Sequence, residues 1–260
     1  MNKETLDNLH GVELEILKEV DRVCKKHGIT YFLDSGTALG AIRHKGFIPW
    51  DDDIDIAMLR DDYDHFCSIA RDELNSQFFF QSIETDNNYN KFHAKIRKNN
   101  TKYVESRIVG REMHQGVFID VVPFDKVPIK FHKIICKFVY FIRRLVSYYH
   151  EKEQLPQNRL KELIIRIVLG KNPLLRYYKI CTMFNNYGKK YMYTAFEYPV
   201  YQHFVFPSRV FEGIKEVEFE GYLFPIVSGY DEYLKIMYGD YMQLPPEDKR
   251  VTHDILELKL

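Results

Sequence analysis

Cysteine is scarce in this chain. There are four in 260 residues, Cys24, Cys67, Cys136 and Cys181, and no two have C-x-x-C spacing. This excludes a thiolate zinc module and a disulfide-dense secreted scaffold, and it points to reduced, buried thiols. Net charge is also missing, with 37 Lys and Arg against 37 Asp and Glu. So balanced a chain is not built as a general polyanion binder. Nucleic acid is therefore not an expected partner, and electrostatic work falls to local patches. No stretch reaches the roughly 18 uninterrupted apolar residues of a membrane-spanning helix. The opening segment MNKETLDNLHGVELEIL has no apolar leader core. Together these absences predict a cytoplasmic protein. Tryptophan occurs once, as Trp50, while Tyr and Phe occur 19 times each, a richness that suits core packing first and sugar stacking second.

What is present divides into a mixed first half, a helical middle and a mixed tail. Leu6, Leu9, Ile16, Leu17, Val20 and Cys24 recur at helical spacing, followed by Lys25, Lys26, His27 and then Gly28, which predicts a helix with a C-terminal stop. ITYFLDSG reads as a buried strand, TALGAIRHKG as a short helix with a basic loop, and IDIAML as a second strand. Residues 61–74 carry a helical pattern. QFFFQSI, KFHAKIRK and GVFIDVVPFD read as further strands, the last stopped by Pro123. This predicts an α+β fold, with a core at 1–125, a mainly helical region at 126–198 and a C-terminal part, 199–260, that packs back on the core. In the tail, HFVFPSRVFEG and VEFEGYLFPI precede a helix near DEYLKIMYG, and Pro245–Pro246 excludes helix beyond it.

The chemistry concentrates in HKGFIPWDDDIDI, where Asp51, Asp52, Asp53 and Asp55 fall within five positions. On a strand, residues two apart share a face, so Asp53 and Asp55 project together while Ile54 and Ile56 enter a core. Paired carboxylates suit a hard divalent cation, Mg²⁺ or Mn²⁺. A solvated acidic turn has no use for the two isoleucines, and an EF-hand needs a glycine and a distal Glu that are lacking here. Asp120, in the otherwise apolar run VFIDVVP, must be paired, hydrogen-bonded or metal-bound, and is the candidate third acid. Upstream, Ser35, Gly36 and Thr37 at a strand-to-helix junction would let a phosphate approach backbone N–H groups. A strand, a Gly-Ser/Thr turn, a short helix and an Asp-x-Asp strand together form the signature of a nucleotidyltransferase-like mixed sheet flanked by helices, here with a helical insertion.

SGTALGAIRHKGFIPWDDDIDIAM closely resembles the LicD family, which includes the fukutin-related proteins. GVFIDVVPFD, FPSRVFEG and YGDYMQLPP with its following Arg and His resemble further blocks of that family in the same order. Ala38 stands where a larger aliphatic is common, a difference of packing. The resemblance implies a nucleotidyltransferase-like fold and a metal-dependent phosphotransferase. Such an enzyme would move a phospho-group, phosphocholine first among them, from a CDP-activated donor to teichoic acid, lipopolysaccharide or capsule, releasing CMP. It maps Asp53 and Asp55 to metal ligands and Asp120 to the third acidic residue, as ligand or general base.

Cations near such a site bind phosphates. The candidates are Arg43, His44, Lys45, Lys95, Arg97, Arg250 and His253, each of which can instead be a surface charge or salt-bridge partner. Trp50 is expected to anchor the acidic loop or stack on a ligand. Asp51 and Asp52 are expected to orient the loop or neutralise Arg43 and Lys45. The segment KVPIKFHKIICKFVYFIRRLVSYYHEK interleaves basic and apolar residues. It predicts either an ordinary packed helix or one that lies on an anionic membrane at the inner face of the cell, which would suit a lipid-linked glycan acceptor. Two other functions share these features: transfer of NMP from an NTP to a small molecule or protein, and a non-catalytic glycan- or nucleotide-binding module.

Overall fold

The computed structural model describes residues 1–89, 91–106, 109–151, 159–186, 188, 190–197, 204–250 and 252–260. The chain forms two compact units, Met1–Val122 with Arg209–Leu260, and Pro123–Ser208. The division expected at 198/199, and the first residue of the HFVFPSRVFEG block, lie outside the described residues.

The first unit is a mixed α+β structure. Helix α1 (Lys3–His27) starts at Asn2, whose side chain accepts from Thr5 N, and ends at Gly28 in the left-handed conformation. Leu9, Ile16, Leu17, Val20 and Val23 along one face are completely buried, as their 3–4 spacing requires. A short strand β1 (Phe32–Leu33) leads into α2 (Ser35–His44), then β2 (Asp55–Leu59) and α3 (Arg60–Glu73). Strands β3 (Phe78–Gln81), β4 (Ala94–Lys98), β5 (Lys102–Glu105) and β6 (Phe118–Pro128) follow. The sheet order is β1-β2-β6-β4-β3, which sets β2 directly beside β6. Register pairs Phe32 with Ala57, Leu33 with Ile56, and Lys95 with Asp120. Ile54, Ile56, Ile96, Ile119 and Val121 form the interior face.

Pro123 does not stop β6. The strand runs through it because its pairing changes there. Val121 is the last residue matched to β4, and Asp125 is the first matched to β7 (Tyr191–Thr194). A proline between two ladders removes no ladder hydrogen bond.

The second unit adds α4 (His132–Glu151), α5 (Arg159–Leu169) and α6 (Pro173–Cys181), then β7 and β8 (Phe206–Pro207), which pair with each other. Asn185 ties its strand to the helical part, donating to Asp125 and accepting from Lys126 N, both at 2.8 Å. Among the described residues no helix is long and apolar enough to cross a membrane.

The tail rejoins the first unit as the hairpin β9 (Ile214–Phe219) and β10 (Tyr222–Val227), helix α7 (Tyr230–Tyr238) and strand β11 (Ile255–Lys259). Strand β11 pairs antiparallel with β5.

Candidate active site

The site is built where β1 hands over to α2. Leu33 pairs with Ile56, so the next residue, Asp34, donates its N–H to the Asp55 carbonyl at 3.0 Å. Thr37, one turn into α2, accepts the Asp55 N–H on Oγ1 at 2.9 Å. From the other side Asp120 N donates to Ile54 O at 2.9 Å. The backbone around Asp55 is thus held by three elements, and the side chains of Asp55 and Asp120 are both buried. Asp53 precedes β2 rather than lying within it, because the regular strand begins at Asp55.

The acids gathered here shift one another's pKa. Burial pushes Asp55 well above the ordinary carboxylate range, with Asp53, Asp120 and Asp34 adding to the effect. Burial also pushes Asp53 up to about 6; His253 opposes this, and Asp120 and Asp52 reinforce it. Asp51 rises to about 8 through burial and its neighbours Asp53 and Asp52. Asp120 goes the other way. Burial would raise it, but Lys95 Nζ at 2.6 Å and His93 Nε2 at 3.1 Å outweigh that and hold it well below the usual range. The structure therefore brings Asp53, Asp55 and Asp120 within electrostatic reach of one another, with Lys95 closing the group.

Asp52 does not neutralise Arg43 or Lys45, as the sequence suggested. It is buried and accepts from the Tyr103 hydroxyl at 3.0 Å, and from His253 through both the backbone N–H and Nδ1, the latter at 2.8 Å. That contact pushes His253 up to about 9, so His253 is an ion-pair partner of Asp52 on its Nδ1 side, with the rest of the ring exposed. Among the described residues, Asp52, Asp53 and His253 form the group whose ligand atoms lie within 4.8 Å of one another. Within it the His253 Nδ1 contact to Asp52 is an ion pair beside Asp53.

The remaining candidates separate by their partners. Asp51 Oδ2 sits over Gly36 so closely that a Cβ there would lie 2.7 Å from it. Ser35, at φ 48°, has its N–H directed to the Tyr233 hydroxyl and its Oγ 3.3 Å from that of Tyr238. The start of α2, expected to face a phosphate, is thus occupied by a protein carboxylate and two tyrosines. Arg43 donates to the carbonyls of Tyr241 and Gln243 and to His44 Nε2, and so anchors the segment after α7. Lys45 pairs with Glu218 at 3.3 Å. Arg97 is buried and donates to Gln81 Oε1 and Gly116 O, and so holds β4 to β3 and to the loop before β6 instead of facing solvent. Arg250 lies over the Trp50 ring at 5.0 Å, with the His44 ring edge-on to the same indole. Trp50 therefore has one cation, Arg250, over its ring, and at its edge the His44 imidazole, whose pKa burial and Arg43 push down.

Several site residues escaped the sequence reading. Asp34 is completely buried and accepts from the Tyr233 hydroxyl. Its one legible signal was an acid directly before the Ser-Gly turn. Glu13 on α1 is buried, and among the described residues its Oε2 has no hydrogen-bond partner. Burial, then Asp53, Asp52, Asp51 and Asp55, push it well above the ordinary range. An acid at a core position of the α1 pattern was its signal. His93, Tyr103, Tyr233 and Tyr238 had none, since each arrives through tertiary pairing.

Comparison with known proteins places these features in a lineage. The family described as LicD/FKTN/FKRP, nucleotidyltransferase domain, matches residues 28–163. A "Lipopolysaccharide cholinephosphotransferase LicD" of Haemophilus influenzae is 32% identical over 99% of this chain and 98% of its own length. Two uncharacterised Rickettsia proteins match shorter stretches: RT0683 of R. typhi, 44% identical over 21% of this chain and 18% of its own length, and RP689 of R. prowazekii, 28% identical over 44% of this chain and 39% of its own length. On the family match and the full-length similarity together, the chain belongs to the LicD family.

Proposed function

We propose that this protein is a metal-dependent phosphotransferase on a nucleotidyltransferase-like scaffold. It moves phosphocholine from a CDP-activated donor to a cell-surface glycan, lipopolysaccharide in the first instance, and releases CMP. The observation that carries the reading is the electrostatic influence on one another of half-buried Asp53 and buried Asp55 and Asp120 in a chain that aligns over 99% of its length with a lipopolysaccharide cholinephosphotransferase.

The donor set fits a divalent cation. Its oxygens are hard ligands, and Asp53 and Asp55 are both pushed upward, which a cation between them would offset. Asp53 and Asp55 are the proposed ligands, and the orphaned Glu13 Oε2 lies among the groups that feel their field. When bound, Mg²⁺ or Mn²⁺ supplies neutralisation of the donor pyrophosphate. The chain's own residues do the rest. Thr37 and Asp34 hold the Asp55 backbone in place. Lys95 and His93 keep Asp120 ionised, which makes it a weak proton acceptor at neutral pH and favours an anchoring role over that of general base. Arg43 and Arg250 supply positive charge beside the acidic loop, and His44 accepts from Arg43 on Nε2. In the reaction an acceptor hydroxyl oxygen bonds to the distal phosphorus, the bond from that phosphorus to the CMP oxygen breaks, CMP leaves with the electron pair, and the hydroxyl's proton passes to water.

The second unit suits an acceptor carried on lipid. Phe131, Ile134, Phe138 and Phe141 at the start of and along α4, and Leu160, Leu163 and Ile167 on α5, recur at 3–4 spacing and are each at least 48% exposed. Exposed Lys133, Lys137, Arg144 and Arg166 flank them. An apolar stripe bordered by cations matches an anionic bilayer surface, and the protein is proposed to work at the cytoplasmic face. Changing Lys133, Lys137 and Arg144 to Gln should reduce pelleting with anionic vesicles. Unchanged partitioning would remove this part of the proposal.

The reaction is tested by incubating the protein with CDP-choline, CDP-ribitol or CDP-glycerol and Mg²⁺, with and without lipopolysaccharide. Acceptor-stimulated CMP release supports the reading. Pyrophosphate release from an NTP would instead indicate nucleotidyl transfer.

A further inference from the structure

Beside the acidic loop the first unit opens a cavity of about 710 Å³ between the first turns of α1 and the segment leading to Trp50, a volume in the usual range of ligand sites. Its wall is continuous with the proposed centre: His10, on α1, donates from Nε2 to the Asp51 carbonyl at 2.8 Å and stacks on Phe47 at 3.7 Å, with the rings 4° from parallel.

One feature of the wall is costly for the helix itself. Gly11 stands in the middle of the 25-residue α1, faces the cavity, and has open space where a Cβ would be. Glycine inside a helix is less favourable than alanine by about 1 kcal/mol. Among the described residues no neighbouring atom requires its small size; an occupant of the cavity would.

The chemistry of the lining selects that occupant. Asp7 and Glu220 border the cavity, and two carboxylates disfavour a phosphate. A quaternary ammonium would need open aromatic faces, but His10 covers Phe47 and Arg250 lies over Trp50. A neutral polyhydroxylated ring satisfies the set. Carboxylates accept from its hydroxyls, Lys3 donates to them, and Pro49 and Leu14 offer apolar surface to its C–H face.

We infer that this cavity is a saccharide-binding cleft, and that it holds the sugar of the acceptor next to the Asp51–Asp53 loop. The second half of the inference rests on the transferase reading; the first does not.

Trp50 is the only tryptophan in the chain and lines the cleft, so its emission reports occupancy directly. The probe is the oligosaccharide released from lipopolysaccharide by mild acid, titrated without donor or metal into wild type, Gly11→Phe and Asp7→Asn. Wild type should give a saturable emission change. Both variants should require about tenfold more oligosaccharide or more, and the acceptor KM should rise by a similar factor. CMP release from CDP-choline to water should stay the same in Gly11→Phe. A thermal melt verifies folding, and Asp7→Asn keeps the test decisive if the larger side chain perturbs α1. An unresponsive wild type, or variants with unchanged titrations and KM, would overturn the inference. A saturable titration with no CMP release from any donor would leave the saccharide cleft standing and bring down the transferase reading alone.

Discussion

Lys95 was expected to contact a phosphate, yet the structure sets its ammonium 2.6 Å from Asp120 Oδ1, with both side chains under a tenth exposed. The two roles differ in what Lys95→Met does. Removing one partner of a buried ion pair leaves a buried charge uncompensated, which costs about 3–5 kcal/mol. His93, at 3.1 Å from the same carboxylate, retains part of the compensation and sets the expectation near 3 kcal/mol. The Lys95 ammonium also lies 3.3 Å above the centre of the Phe118 ring, but methionine keeps most of the stem in place there. Asp120→Asn should cost a similar amount, about 3 kcal/mol, by stranding the lysine. If the residues were independent the double variant would lose about 6 kcal/mol; because they share one interaction it should lose about 3–4, a coupling of 2–3 kcal/mol. Urea unfolding of the four proteins, followed by circular dichroism, measures the cycle. Additivity within about 0.5 kcal/mol, with a Lys95→Met defect confined to donor KM, would refute this reasoning and restore Lys95 as a phosphate ligand.

Two further predictions probe the scaffold. At Gly40 a Cβ would lie 2.5 Å from the Gly46 carbonyl oxygen and 3.3 Å from Ile48 N, both backbone atoms. Gly40→Ala should therefore destabilise by about 1–3 kcal/mol, whereas Gly11→Ala should stabilise by about 0.5–1 kcal/mol; melting temperatures moving in the same direction would contradict the packing account. The His253–Asp52 contact predicts a pH dependence. His253 is raised from about 6.5 when unfolded to about 9 when folded, so its stabilisation is full below pH 6.5 and is lost as pH rises through 9. With the side chain 42% exposed, the contribution is discounted to about 1 kcal/mol. Wild type should exceed His253→Gln by that amount at pH 6 and match it at pH 10, and a difference that grows with pH would show the sign to be wrong.

Local pattern carried much of this protein, and tertiary pairing carried the rest. The α1 periodicity and its stop at Gly28, the alternation of Asp53 and Asp55 with buried isoleucines, and an acid in the apolar run at Asp120 are features of short windows, and each was legible there. The mixed α+β class followed from the same windows. The partner of Asp52 was not legible, because His253 lies 201 residues away and β11 must first pair with β5 to deliver it. The tyrosines that engage Asp34 and Ser35 come from α7, roughly 200 positions on. Pro123 misled because a strand-breaking rule assumes one ladder, and β6 changes ladders at that residue. Arg97 misled for a related reason. A basic residue in a strand window shows no partner there, and it is the pairing of β4 with β3 that turns Arg97 inward onto Gln81 and the Gly116 carbonyl.

The central claim is that the buried carboxylates perform phosphotransfer. It is tested most directly by CMP release from CDP-choline in the presence of Mg²⁺ and lipopolysaccharide, comparing wild type with Asp55→Asn. That substitution is nearly isosteric and keeps the backbone bonds to Thr37 and Asp34. A fall of at least about a hundredfold in turnover, with the fold intact by circular dichroism, is the predicted result. Turnover within a few-fold of wild type would contradict the account.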